Sequence, residues 1–265
     1  MKRYRIESGA KVDLDHYDPD DTSLCPDGKK ATAEDNSKVE EKLRDLQELL
    51  FAEHKRSVLV VLQGMDTSGK DGTVRHVMSG FNPAGVSVHS FKKPTEDELS
   101  HDFLWRIHAK TPASGEIAVF NRSHYEDVVV VRVHDLVPRK VWSKRYDQIN
   151  DFERMLSESG TLVLKFFLHI SKDEQRKRLQ SRIDDPKKRW KFQHGDLAER
   201  KLWHEYREAY EDALSKTSTE WAPWWVIPAN AKWYRNYLVG TIIANALEKC
   251  DMHYPEPDLS SVTAV

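Results

Sequence analysis

Val58 to Thr73 reads VLVVLQGMDTSGKDGT, and the reading of this stretch decides the fold. Val58, Leu59, Val60, Val61 and Leu62 form a short apolar, β-branched run, the pattern of a strand buried on both faces. It ends in Gly64-Met65-Asp66-Thr67-Ser68-Gly69-Lys70, which fits G-x-x-x-x-G-K, and a helix is expected from Asp71. Glycines allow successive backbone N–H groups to converge on an anion, the helix start adds partial positive charge, and Lys70 adds a full one. The plain alternative is a strand-to-helix turn with a surface lysine. Strand, glycine loop, lysine and helix together favour a phosphate-binding loop made of residues 64 to 71.

Two residues depart from the usual nucleotide loop. Asp71 stands where a Ser or Thr hydroxyl normally meets a metal, and Asp66 places a carboxylate inside the loop. An acid in a phosphate cradle is repulsive unless a cation lies between them. The metal ligation is therefore expected to be rearranged.

Working outward, Ser37-Lys38-Val39-Glu40 fits a capping box, and Val39, Leu43, Leu46, Leu49 and Leu50 recur at helical spacing before the strand. Downstream, strands are expected at Val86–Phe91, Glu116–Phe120, Thr161–Ser171 and Trp224–Ala229. Helices are expected at Glu96–Ala109, 140–158, Asp196–Leu214 and Trp233–Leu247, with Val128–Val133 read as a helix packed on the sheet. Strands alternating with helices predict a three-layer α/β/α fold of the P-loop kinase kind, with a five-stranded, mainly parallel sheet. Residues 1–35 read as a polar arm that Tyr4, Ile6, Leu14 and Tyr17 could anchor. Residues 36–254 form a single domain including a helical lid at about 172–215, and 255–265 a frayed tail.

The chain has 265 residues, 39% hydrophobic and 32% charged, with a net charge of −2, which suits a globular enzyme and gives no general attraction to nucleic acid. No apolar run approaches a membrane span and the first residues lack a secretory core, so a cytoplasmic enzyme is expected. Cys25 and Cys250 read as free thiols of a reducing compartment rather than a disulfide. The 12 histidines show no metal-ligand spacing; His124 and His194 read as hydrogen-bonding or surface residues.

In a parallel sheet, ligands bind beyond the carboxyl ends of the strands. There the sequence puts Asp66 and Lys70, then Lys92 and Lys93, then Asn121, Arg122, Glu126 and Asp127. Cations for phosphate charge and carboxylates for a metal are what phosphoryl transfer needs. Asn121 can ligate a metal without contributing charge, which Glu126 and Asp127 could supply. The alternative is that both acids simply favour a helix start. Arg178 and Arg182, four apart, would present adjacent guanidiniums from a basic helix that Asp184-Asp185-Pro186 breaks. A solvated helix face is the ordinary meaning of such a run; a lid over phosphates is the functional one.

GMDTSGKDGT, FKKPT, FNRSHYEDV, RLQSRIDDPKKRWKF and the helix with Trp203, Tyr206 and Tyr210 resemble the polyphosphate kinase type 2 family, from about Val39 to about Leu247. More common members carry Asp where Asn121 stands; the form with Asn121 and Glu126 is similar to the subgroup called class III, whose members act on nucleoside mono- and diphosphates. The resemblance implies reversible phosphoryl transfer from inorganic polyphosphate to AMP and ADP, with guanine nucleotides as further acceptors. It implies Mg²⁺, or Mn²⁺, and a homo-oligomer, dimer or tetramer. Lys70 would bind the phosphates in flight, and Asp66 would hold metal or position the acceptor. Arg122 would contact acceptor phosphates, Arg178 and Arg182 would reach in from the lid, and Lys93, beside Lys92, would hold polyphosphate. Asn121 and Glu126 would arrange metal or acceptor. Two alternatives stay open: an ATP-dependent nucleotide or small-molecule kinase, and a non-catalytic polyphosphate-binding P-loop protein.

Overall fold

The computed structural model describes residues 1–193 and 195–257. Five strands form one sheet: β1 (Ser57–Gln63), β2 (Val86–Ser90), β3 (Ile117–Asn121), β4 (Thr161–His169) and β5 (Trp224–Pro228). Their order is β2-β3-β1-β4-β5 and every pairing is parallel. β1 is central and buried along its whole length, as its unbroken apolar run requires. Each of its fully buried aliphatic side chains contributes roughly 1.5–3 kcal/mol.

The helices are α1 (Gly28–Glu53), α2 (Lys70–Val77), α3 (Glu96–Ser100), α4 (Trp105–His108), α5 (Glu126–Val133), α6 (Arg139–Trp142) and α7 (Arg145–Glu158). Then follow α8 (Lys172–Asp184), α9 (Gly195–Lys201), α10 (Trp203–Thr217) and α11 (Lys232–Glu248). α1, α2 and α11 pack together on one face of the sheet; α5, α7 and α10 pack together on the other. The result is the expected three-layer α/β/α fold, with the sheet wholly rather than mainly parallel.

Several elements differ from the sequence reading. α1 begins nine residues before Ser37, at Gly28. Lys29 to Asn36 contains good helix formers and no breaker, so the helix runs on upstream. Ser37 caps nothing; its hydroxyl donates to the Ala33 carbonyl one turn back. The helix expected over 96–109 is two short ones. Thr95 and Glu98 form a true capping box at its start, but the Asp102 carboxylate accepts from the Leu104 N–H at 2.9 Å and breaks the run. The helix expected over 140–158 divides at Ser143–Lys144, and that over 196–214 at Leu202. The last eight residues and His194 lie outside the described residues.

The N-terminal segment runs along the far edge of the sheet. Tyr4, Ile6, Val12 and Leu14 are buried. The Ile6 N–H donates to the Trp224 carbonyl at 2.9 Å. The Val12 and Leu14 N–H groups donate to Ser215 and Glu211 of α10, and Arg207 pairs with Asp13 and Asp15. The arm thus straps α10, the helix that carries Tyr206 and Tyr210.

Candidate active site

The loop from Gly64 to Ser68 turns each of its carbonyls into the protein. Lys70 Nζ donates to the carbonyls of Gly64 at 2.7 Å and Met65 at 3.3 Å. Gln175 takes the Asp66 carbonyl at 3.2 Å, and Arg178 Nη1 takes those of Thr67 and Ser68, each at 3.0 Å. Because a peptide unit is planar and trans, carbonyls held on one side put their N–H partners on the other. The Ser68 N–H is spent on the Met65 carbonyl at 3.1 Å, and the loop's other N–H dipoles are left toward the mouth of the sheet, the arrangement that binds anions. Gly64 has φ +146°, and a Cβ there would lie 2.6 Å from the Leu168 carbonyl. Gly69 has φ +102°, and Thr67 is held at φ +63° without being glycine.

Lys70 is buried. Burial first, and Arg122 second, pull its ammonium down to about 8, while Asp66, Glu126 and Asp71 pull the other way. Loop lysine, Arg122 and three carboxylates thus share one electrostatic neighbourhood. Arg122 follows β3 at φ +63°, its N–H donating to the Leu62 carbonyl of β1 at 3.1 Å, which ties the end of β3 to the start of the phosphate loop. Asn121, register partner of Leu62, donates its amide to Asp71 Oδ1 at 2.6 Å. That contact fastens β3 to the first turn of α2.

Other expected residues sit differently. The Asp127 carboxylate, expected to supply charge beside Asn121, faces Arg145 at 3.1 Å and Arg106 at 3.9 Å. Burial outweighs both arginines and lifts its pKa to about 6. Arg178, expected to reach phosphate from the lid, has its donors engaged behind the loop. Besides Thr67 and Ser68 it serves Glu174 and the carbonyls of Ala229 and Asn230. Its place is to hold the loop's shape. Arg182 does face forward, 3.5 Å from Asp66 Oδ2 and 3.2 Å from Asp196. Lys92 and Lys93 are exposed at the end of β2, two strands from the loop.

The donor set suits a hard cation. Asp66, Asp71, Asn121 and Glu126 bring only oxygen ligands, yet among the described residues no group of three or more His, Cys, Asp or Glu is gathered to cage a metal. Such a set suits a divalent cation held by one or two carboxylates and completed by phosphate oxygens and water.

Sequence reasoning missed a buried network under the Arg122–Glu126 segment. Lys165, read as part of an apolar strand, is fully buried in β4. Its Nζ donates to Glu153 at 2.6 Å, to the Tyr125 hydroxyl at 2.9 Å and to the Thr217 carbonyl at 2.6 Å. Glu153 also accepts from the Tyr125 hydroxyl at 2.8 Å and lies 3.1 Å from His124 Nε2. Burial would lift Glu153, but Lys165 and His124 outweigh it and hold the carboxyl below its ordinary value. His124 is pushed down by burial. Tyr210, buried on α10, also reaches the loop: its hydroxyl donates to the Gly64 carbonyl at 3.3 Å, and it feels the charges of Glu126, Arg122 and Asp66. The signal for both lay in single polar atoms on apolar elements, which periodicity does not register.

Comparison with known proteins agrees with this geometry. The chain is 58% identical over 261 residues to the AMP/ADP-polyphosphate phosphotransferase of Meiothermus ruber, covering 98% of each chain. It is 46% identical over 267 residues to the ADP-polyphosphate phosphotransferase of Rhodopseudomonas palustris, covering 96% of this chain and 92% of that one. The crystal structure of polyphosphate kinase 2 from Arthrobacter aurescens TC1 superposes with a TM-score of 0.91 at 46% identity, covering 97% of this chain and 92% of that chain. Residues 27–255 match the family model described as polyphosphate kinase 2, and with that span and those relatives the chain belongs to the polyphosphate kinase 2 family.

Proposed function

We propose that this protein transfers a phosphoryl group from inorganic polyphosphate to AMP and ADP, reversibly and in line. The observation that carries the reading is the loop itself. Its carbonyls are tied back, its lysine is buried, and Asp66, Arg122 and Glu126 surround that lysine. Full-length relatives named for AMP/ADP and ADP transfer from polyphosphate support the choice of donor and acceptors.

In this reading the terminal phosphates of the donor lie against the N–H groups of residues 64–71, with Lys70 on the oxygens that gain charge in flight. Arg122 holds the acceptor's phosphate, and Arg182 closes from the lid. Lys93, with Lys92, meets the polyphosphate farther along the sheet edge. An oxygen of the acceptor phosphate attacks the terminal phosphorus, and the bridging P–O bond breaks. The chain, one unit shorter, leaves with the electron pair. The attacking oxygen is already anionic, so no general base is required. Asp66, Asn121 and Glu126 would hold Mg²⁺ or Mn²⁺, which when bound shields the donor's charge from these carboxylates. Arg178 acts here as a positioning residue for the loop rather than as a phosphate contact. Asp127 acts through Arg145 and Arg106, outside the transfer itself.

Incubating AMP or ADP with polyphosphate and Mg²⁺ in the absence of ATP tests the activity; the Asp66→Ala variant tests the metal role. The variant should lose turnover while binding polyphosphate at least as tightly. Intact turnover in Asp66→Ala would overturn the role given to Asp66, and no product with wild type would overturn the function. Guanine nucleotides are assayed alongside. The proposal extends to a homo-oligomer, dimer or tetramer, checked by light scattering, and to a reducing cytoplasm, in keeping with the free thiols of Cys25 and Cys250.

A further inference from the structure

Arg235 carries a charge that the protein leaves without a counter-ion. It lies in the first turn of α11 and is only 2% exposed. Its Nε and Nη2 donate to Asn236 Oδ1 at 3.1 and 2.8 Å, and Nη1 donates to the Ser68 carbonyl at 3.3 Å. All of these acceptors are neutral, and among the described residues no carboxylate pairs with it. The charge that acts on it is a second cation, Arg178, which has Glu174 at 2.7 Å as its own partner. Lys232, at the head of the same helix, is pushed down by burial and by both arginines.

The loop sequence is shaped around this guanidinium. At Gly69 a Cβ would collide with Arg235 Nη1, and at Gly72 it would lie 3.2 Å from Nη2. Gly69 belongs to the phosphate-loop pattern. Gly72 does not, and inside α2 it is a poor helix former. A side chain there would press on Arg235 and push its guanidinium by a few tenths of an ångström. Arg235 thus lies against the start of α2, on the carbonyl side of the Ser68–Gly69 peptide, away from its N–H.

We propose that Arg235 is a positioning residue that keeps a standing positive charge behind the phosphate loop, and that the oligophosphate bound in front of the loop is its counter-ion. A buried, unpaired guanidinium is unfavourable in the unliganded protein. An anion across one peptide unit relieves that cost, because charges in a partly desolvated site interact far more strongly than in water. Arg235 therefore trades stability of the empty protein for affinity toward polyanions. The identity of the anion as polyphosphate rests on the functional reading above; the charge arrangement does not.

The test uses the full chain with tripolyphosphate as probe, comparing wild type, Arg235→Gln and Arg235→Lys by calorimetric titration and thermal melting, with polyphosphate-dependent turnover measured in parallel. Arg235→Gln should melt no lower than wild type when unliganded, yet bind tripolyphosphate about tenfold more weakly. Its KM for polyphosphate should rise more than its kcat falls. Arg235→Lys, titrated at pH 6.5 so that a buried ammonium stays protonated, should bind within about threefold of wild type. Wild-type affinity in Arg235→Gln, a Gln variant that fails to fold, or a tenfold loss in Arg235→Lys would each overturn the proposal. Absence of turnover in wild type would overturn the functional reading alone, since the titration still decides the role of Arg235.

Discussion

Replacing Glu153 with alanine leaves the Lys165 ammonium in the sheet without its charge partner. In the wild type that ammonium is fully buried, 2.6 Å from Glu153 and bonded to the Tyr125 hydroxyl and the Thr217 carbonyl. Removing one partner of a buried ion pair costs about 3–5 kcal/mol. For a chain of this size, at about 2 °C per kcal/mol, that lowers the melting temperature by about 6–10 °C. The same change frees His124 and Tyr125, which directly follow Arg122 and Ser123 and precede Glu126. Turnover should therefore fall even where the variant remains folded. The assay is urea unfolding at pH 7.5 of Glu153→Ala, with Glu153→Leu, Lys165→Met and the double variant Glu153→Leu/Lys165→Met forming one cycle. The double variant, with both charges gone and the volume roughly kept, should recover most of the loss. A Glu153→Ala variant within about 1 kcal/mol of wild type, or additive single effects, would refute the view that this pair organises the segment beneath Arg122.

Lys70→Met should abolish transfer, by about a hundred- to a thousandfold or more, yet leave the unliganded fold as stable or more so. Burial puts the folded pKa of Lys70 at about 8, below its ordinary 10.5, so the unfolded chain binds the proton more tightly. Wild-type stability without phosphate should accordingly gain a contribution between pH 8 and 10.5 that Lys70→Met lacks; melting curves across that range check both points. Gly64→Ala places a Cβ 2.6 Å from the Leu168 carbonyl at φ +146° and should destabilise by about 3 kcal/mol, measured by urea unfolding, with loss of activity. Arg207→Ala removes the ion pairs to Asp13 and Asp15 and should speed proteolytic nicking of the first seventeen residues while leaving the cleavage pattern elsewhere unchanged.

The parts of the fold that a sequence displays best are those where one pattern governs many residues. The apolar run of β1, the glycines and the lysine point to one local structure, and the strand ends downstream then fall on one edge because the sheet is parallel. What stayed hidden depends on single atoms meeting across long separations. Lys165 reads as one polar residue in a strand, and only the fold brings Glu153 and Thr217 to it. Arg178 and Arg182 look alike at four-residue spacing, but one turns behind the loop and the other toward Asp66. Ser37 resembles a cap because four residues fit a pattern, while the helix-forming residues before it carry α1 further upstream. Asp127 sits next to Glu126, yet Arg145 and Arg106 draw its side chain away.

Polyphosphate as the donor at this loop is put to the test by a competition in which AMP and Mg²⁺ are supplied with equal phosphoryl concentrations of radiolabelled polyphosphate and differently labelled ATP. Label should pass to AMP from polyphosphate, with Lys70→Met transferring it at least about a hundredfold more slowly. Label arriving from ATP in preference, or transfer undiminished in Lys70→Met, would contradict this assignment.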